Sequence, residues 1–191
     1  MKKFLLALTI AGCIFAGVPT QAASSGSDSE IAEKLLLYIP NRLMDALDMF
    51  TVNLGVGPIV EAQLMATRAV WGGAGIGLAY KAYKAHNRQY GFGIEEGWYW
   101  SFVTIGDENY SVVDSTPLVK RYIENRAGFP TPDMRIYDFF EGKRDYWAIG
   151  GSLGCLVTGD LYIHPVEWFD FALGFFFIDI KGDDFTFDDF R

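Results

Sequence analysis

Cys155 is the first of three features in this sequence with the residue types that chemistry needs. Its thiol becomes a nucleophile if a histidine activates it, and the chain has only His86 and His164. Cys155 and His164 lie nine residues apart in one predicted strand. Because side chains alternate between the two faces of a strand, residues an odd number of positions apart point to different faces (opposite parities). The apolar residues that share the parity of Cys155 predict a buried thiol that packs as a small hydrophobic group.

Asp160 and His164 form the second candidate, because they share one parity of that strand four residues apart. Together they would make an acid–base pair or two metal ligands. At ~3.3 Å per residue, however, they lie about 13 Å apart along a regular strand, and only a strong bend would bring them together. A small hydrolase or transferase that uses Cys155 or this Asp/His pair is therefore an alternative function.

The acidic C-terminal tail is the third candidate, since clustered carboxylates bind calcium. Lys181 occupies a position where a calcium loop of the EF-hand type carries an acid, so we interpret the tail as solvated. The sequence also lacks the motifs of phosphate loops, zinc proteases and serine hydrolases. We predict no metal site, no cofactor and no catalytic residue.

The first 22 residues have the organisation of a secretion signal. Two lysines precede an uncharged apolar run over residues 4–18, and small residues allow cleavage after Ala22. Residues 10–13 also fit a lipobox, so lipidation of Cys13 is the alternative to that cleavage. Both routes predict an exported protein of the periplasm or of the periplasmic face of an envelope membrane.

Composition constrains the rest of the chain. Half of the residues are hydrophobic and 16% are aromatic, which predicts a folded core. We expect residues 23–29 to be a linker and residues 30–191 to be one domain. The formal net charge is −8 and becomes more negative once the signal lysines are removed, which excludes nucleic-acid binding through phosphates.

Hydrophobic periodicity predicts an α+β fold. Two amphipathic helices, or one kinked helix, flank Pro40, and a bent, glycine-rich antiparallel sheet begins at about residue 50. The predicted strands are 59–70, 73–84, 89–94, 97–105 and about 147–164, with a turn at 106–109 and helix or loop over 116–142.

The two faces of these strands differ in composition. The apolar parity of the last strand, which includes Leu153, Cys155 and Leu161, is interpreted as the buried face. In the predicted strand 73–84 the glycines and an alanine share one face, which leaves room for another backbone or an aromatic ring to approach.

An apolar helix is predicted over residues 166–180, with only a narrow polar stripe. Its aromatic residues exceed what a single domain of this size is expected to cover, and a remainder would form an exposed patch for lipid or a partner. The residues predicted for this surface are Trp168, Phe169, Phe171, Phe175 and Phe176.

Several segments resemble small exported bacterial envelope proteins, a family of hypothetical proteins of unknown function. The resemblance implies export and brings no activity with it. The segments that carry it are Asn41-Arg42 with Asp45 and Asp48, Gly55-Val56-Gly57-Pro58, and the run from His164-Pro165 through Glu167, Asp170-Phe171, Gly174 and Asp179 to Asp183-Asp184.

The principal prediction is a non-enzymatic envelope protein that associates with membrane, lipid or another envelope protein through the aromatic helix. A small outer-membrane β-barrel is the other alternative beside the hydrolase or transferase. The length after the signal would hold eight strands, but three predicted helical stretches interrupt the count and the chain ends in Asp-Phe-Arg.

Overall fold

The computed structural model describes residues 26–176, 178, 180–182 and 184–187, with side chains from residue 35 onward. The predicted secretion signal, Cys13 and the start of the predicted linker lie outside the described residues. The first helix begins at Gly26, within the segment predicted as a linker.

Helices flank a single antiparallel sheet in the described part of the chain. The elements are α1 (Gly26–Asp48), β1 (Phe50–Thr67), β2 (Val70–Ala85), β3 (Gln89–Phe102), β4 (Ile105–Ser115), β5 (Tyr122–Gly128), a short 3₁₀ helix (Arg135–Tyr137), β6 (Ile149–Ile163) and α2 (Pro165–Gly174). The strand order is β5-β4-β3-β2-β1-β6, and every neighbouring pair is antiparallel. The predicted combination of helices with an antiparallel sheet is confirmed at this level.

The N-terminal helical region is one helix that contains Pro40. The C-terminal helix is shorter than predicted, because it ends at Gly174 rather than near residue 180. The chain turns there so that the backbone N–H of Ile180 donates to the Asp170 carboxylate (2.8 Å). That side-chain acceptor replaces the carbonyl partner that a continued helix would supply. Among the described residues, neither helix has the length and hydropathy to cross a bilayer.

Two stretches predicted as turn or helix are strands instead. Residues 106–109 belong to β4, and residues 122–128 of the predicted helix or loop form β5. The polar residues that suggest a turn at 106–109 alternate between the two faces of β4, because Glu108 points inward to arginines while Asp107 and Asn109 point outward. Composition alone does not distinguish an alternating polar strand from a turn.

A Gly-Pro pair such as Gly57-Pro58 suggests the end of a strand, but none ends there. β1 continues through them, and its register with β6 shifts between Val56 and Val60. A bulge accommodates proline because the extra residues leave the ladder and need no backbone donor.

The sheet is strongly curled. Lys81 on β2 binds Asp160 on β6 at 3.0 Å, although β1 lies between those strands. Tyr99 on β3 donates to Glu61 on β1 at 3.0 Å, across β2. Neighbouring strands lie about 4.8 Å apart, so these bonds require the strands to bend around a common interior.

Glycine permits part of this curvature. The Tyr99 ring lies over Gly75, where an added Cβ would be 2.6 Å from the ring. Gly77 has φ of +140°, and its Cβ would be 2.2 Å from the Pro58 carbonyl oxygen. The glycine face of β2 thus admits an aromatic ring and a neighbouring backbone, as its sequence predicts.

Candidate functional site

The curled sheet carries polar side chains inside and apolar side chains outside. On β1, buried Glu61 and Gln63 alternate with exposed Val60 and Leu64. Leu64 is 77% exposed, whereas Glu61 is 4% exposed. The interpretation that the apolar parity faces the core is therefore wrong, because it is the small and polar parity that faces inward.

A cluster of one lysine and three carboxylates lies at the centre of the interior. The Lys81 ammonium is 2.7 Å from Glu95, 3.0 Å from Asp160 and 3.3 Å from Glu61. Each of these four side chains is at most 7% exposed. The Asn53 amide also donates to Asp160 (2.9 Å), so strands β1, β2, β3 and β6 meet at this point.

The charges in this cluster are tightly linked. Burial opposes the charge on Lys81, but the carboxylates of Glu95, Asp160 and Glu61 outweigh it and raise the lysine pKa well above its usual value. Burial raises the pKa of Asp160 to about 6, against the attraction of Lys81. Three carboxylates around one ammonium leave excess negative charge, which explains why one of them retains a proton more readily.

A second cluster has the opposite balance, with three guanidinium groups around one carboxylate. Glu108 accepts from Arg68 (2.9 Å) and Arg126 (3.1 Å) and also binds Arg144. Burial opposes the charge on Glu108, but Arg144 and Arg68 outweigh it and lower its pKa to about 2. The interior therefore contains one cluster with excess carboxylates and one cluster with excess guanidinium groups.

The space left between these side chains is small. Side chains from all six strands line a cavity of about 130 Å³. Ion pairs across the interior and aromatic rings such as Tyr99 and Tyr110 fill the rest. In the described part of the chain, charged and aromatic side chains thus occupy much of the interior.

Thr51, His164 and Asp145 form a continuous hydrogen-bonded chain at one end of the interior. The His164 Nδ1 is 2.7 Å from the Asp145 carboxylate, and its Nε2 is 2.8 Å from the Thr51 hydroxyl oxygen. The His86 ring stacks on His164 with centroids 5.0 Å apart. The segment after β5 supplies Asp145, so this chain links the start of β1, the end of β6 and the connection between the sheet edges.

The outer face is apolar over one broad arc of the sheet. The exposed apolar residues on β6, β1, β2 and β3 include Leu153, Leu161, Val52, Leu54, Val60, Leu64, Ile76, Leu78, Trp98 and Trp100. In the middle of β4 the outer face is polar, because Asp107, Asn109 and Ser111 point outward there, between exposed Ile105 and Val113. The apolar surface is thus an arc that meets a polar sector at the middle of β4.

Both helices also expose apolar side chains. On α1, the buried side holds the Arg42–Asp45 ion pair (2.7 Å) beside Leu37 and Met44, while Ile39 and Leu43 are exposed. On α2, Glu167, Asp170 and Gly174 are the buried residues. The exposed helix residues therefore extend the apolar surface beyond the sheet.

Four of the five aromatic residues predicted as a lipid or partner surface are exposed, and Phe171 is half-buried. The exposed four are Trp168, Phe169, Phe175 and Phe176. Trp168 packs edge-on against Phe50 of β1 with centroids 5.6 Å apart. This contact joins the aromatic helix to the apolar face of the sheet.

The residues that the sequence suggests for catalysis do not come together in the fold. Cys155 is exposed on the outer face, so its expected burial is wrong. Asp160 binds Lys81, whereas His164 binds Asp145 and Thr51, so the two residues of the candidate Asp160/His164 pair have different partners. Sequence spacing missed Asp145 and Thr51, because they lie 19 and 113 residues from His164.

No group of three or more histidine, cysteine, aspartate or glutamate residues in the described part of the chain could hold a metal ion. Comparison of the chain with protein-family models, with curated proteins and with solved structures found no match.

Proposed function

We propose that this protein is an envelope protein embedded in a lipid bilayer through the apolar arc of its curled sheet. The observation that supports this most directly is the inversion of faces, with charges inside and large apolar side chains outside. Of the functions weighed from the sequence, this combines the small outer-membrane β-barrel with association of the aromatic helix with lipid.

The outer face is better matched to lipid than to water. Burial of a large apolar side chain contributes roughly 1.5–3 kcal/mol, and soluble monomers rarely expose contiguous apolar patches larger than a few hundred Å². Here the exposed residues form an arc over four neighbouring strands and both helices. Lipid removes this surface from water without the polar interior having to change.

Strand length matches a bilayer. The exposed apolar positions of β1 extend from Val52 to Leu64, about 40 Å along a strand at ~3.3 Å per residue. A strand tilted by about 45° places this stretch across ~28 Å, close to the ~25 Å apolar band of membrane sheets.

The helices fit the membrane interface. The exposed leucines of α1 and the exposed aromatics of α2 lie on surfaces whose opposite sides carry buried ion pairs. Helices with a polar side toward protein and an apolar side outward lie in the headgroup region, where tryptophan is enriched. We assign Trp168 and Phe169 to the headgroup region.

The packed interior favours anchoring or structural roles over transport. Two charge clusters cross the interior, and the cavity that their side chains line is about 130 Å³. The predicted secretion signal supports an envelope location, where bilayer-embedded sheets reside in the outer membrane.

Flotation with vesicles tests this proposal. The protein is refolded with phosphatidylethanolamine–phosphatidylglycerol vesicles, washed with urea and centrifuged through a density gradient. We expect it to float with the vesicles and Val60→Arg to lose most of this association, since Val60 is exposed near the middle of the Val52–Leu64 stretch and arginine on a lipid face costs about 2–4 kcal/mol near the bilayer centre.

Asn109→Arg is the matched control, because Asn109 is exposed in the polar sector of β4. It should float like the unchanged protein. The proposal fails if the unchanged protein stays in the soluble fraction or if both arginine variants float equally well.

A further inference from the structure

The Thr51–His164–Asp145 chain has the connectivity of a nucleophile, a base and an orienting acid. The Asp145 carboxylate only accepts hydrogen bonds near neutral pH, so the proton on the neutral His164 ring must lie on Nδ1, 2.7 Å away. Nε2 then carries the lone pair. The Thr51 hydroxyl, 2.8 Å from Nε2, must be the donor.

A second contact fixes the Thr51 hydroxyl. Its oxygen accepts from the backbone N–H of His86 at 3.2 Å, so its own proton is free to point at Nε2. The Asp145 carboxylate is held in turn by the backbone N–H of Trp147 at 2.8 Å. Each member of the chain therefore has a defined orientation.

Cavities adjoin the chain on two sides. The interior cavity is lined by Thr51, His86, Asp145 and His164. Another cavity of about 140 Å³ contacts His86 and Asp145 but neither Thr51 nor His164. The interior cavity is therefore where an ester would meet Thr51, and Val119, Lys120 and Arg144 also line it. Apolar walls beside cationic groups suit an ester whose carbonyl oxygen gains negative charge.

We propose that Thr51 is a nucleophile for acyl transfer from carboxylic esters, with His164 as its general base and Asp145 as a positioning residue. This inference goes beyond membrane residence and does not depend on it.

The reaction balances without a further reactant except water. The Thr51 Oγ bonds to the ester carbonyl carbon as its proton moves to His164 Nε2. The carbon–alkoxide bond then breaks, and the alkoxide leaves with that proton. Water attacks the acyl-threonine, His164 takes one water proton and returns it to Thr51, and the carboxylic acid leaves.

His86 keeps the site free of a competing charge. Burial lowers the pKa of His86 well below its usual value, and His164 lowers it further. His86 therefore stays neutral at neutral pH, and its ring packs against the base without adding a positive charge beside it.

Labelling of the folded full chain with diisopropyl fluorophosphate tests the proposal. The Thr51 oxygen would displace fluoride from phosphorus, and peptide mass spectrometry locates the adduct. We expect one adduct, on Thr51, and slow hydrolysis of p-nitrophenyl acetate. Thr51→Ala should lose both, whereas Thr51→Ser should retain both, because serine keeps the hydroxyl.

Thr158→Ala is the matched control, since Thr158 is also a buried interior threonine, bound to Glu61. It should label like the unchanged protein. Asp145→Asn tests positioning: it should slow labelling by at least about tenfold, whereas Asp145→Glu, which keeps a carboxylate for His164 Nδ1, should recover part of that rate.

The proposal is overturned if the folded, unchanged protein shows no adduct on Thr51 or if Thr51→Ala hydrolyses the ester as fast. These outcomes leave vesicle flotation unaffected, so failure of the acyl-transfer site is distinguishable from failure of membrane embedding.

Discussion

The Tyr99 hydroxyl oxygen lies 3.3 Å from the Ser152 hydroxyl oxygen, although Tyr99 is on β3 and Ser152 is on β6, three strands away. In a flat sheet those strands would be about 14 Å apart. Their contact requires the sheet to close around its polar face. The same curvature turns the apolar face outward over the whole arc, so the interior network and the outer surface have one structural cause.

The close approach of Tyr99 to β2 depends on Gly75. We expect Gly75→Ala to destabilise the fold by about 1–3 kcal/mol through overpacking, since its Cβ would be 2.6 Å from the ring. Gly72→Ala is the control, because the nearest atom to its Cβ would be 3.8 Å away. Urea unfolding in vesicles, followed by tryptophan fluorescence, measures both, and equal midpoints would contradict the packing described.

Lys81 balances three buried carboxylates. Lys81→Met should destabilise the protein by about 3–5 kcal/mol, because removal of one partner leaves buried charges uncompensated. Arg121→Met serves as the comparison, since the Arg121–Asp114 pair is exposed and such pairs contribute about 0–1 kcal/mol. A loss for Lys81→Met no larger than that for Arg121→Met would show that the cluster is not buried.

Asp160 should make stability depend on pH in a defined window. Its pKa rises from 3.8 to about 6 on folding, so the folded state binds more protons than the unfolded state between these values. Stability should therefore fall as pH increases from about 4 to about 6. Asp160→Asn should flatten this part of the profile, and an unchanged slope in the variant would rule out Asp160 as its source.

Glu108 should act in the opposite direction at lower pH. Its folded pKa is about 2 against 4.5 for an ordinary glutamate, so its contribution is full above pH 4.5 and decreases as pH falls toward 2. Glu108→Gln should remove this acid sensitivity and lower stability at pH 7, since it leaves Arg68, Arg126 and Arg144 without their shared partner. Unfolding midpoints at pH 3 and pH 7 check both effects.

Period-two alternation in the sequence predicts strands and shows that their two faces differ, but it does not say which face meets solvent. The apolar parity around Leu153 and Cys155 would be buried in a water-soluble protein and points outward here. The sequence feature that indicates the inverted orientation is the placement of Glu61, Lys81 and Asp160. All three lie within predicted strands, and each has small or polar neighbours on its own face, such as Gln63, Ala79 and Thr158.

β5 escaped prediction for a different reason. Its inward Glu124 and Arg126 and its outward Asn125 are all polar, so little contrast between faces marks it as a strand. The Thr51–His164–Asp145 chain is invisible to local spacing as well, because curvature and a long connection bring its members together.

The measurement that tests membrane embedding most directly uses Cys155 on the outer face of β6. In the Cys13→Ser variant it is the single thiol, and a nitroxide attached to it reports its surroundings by electron paramagnetic resonance in vesicles. Embedding predicts frequent collisions with oxygen, which concentrates in lipid, and few with a water-soluble nickel chelate. A label that the nickel chelate reaches freely, and oxygen no more than in water, would contradict membrane embedding.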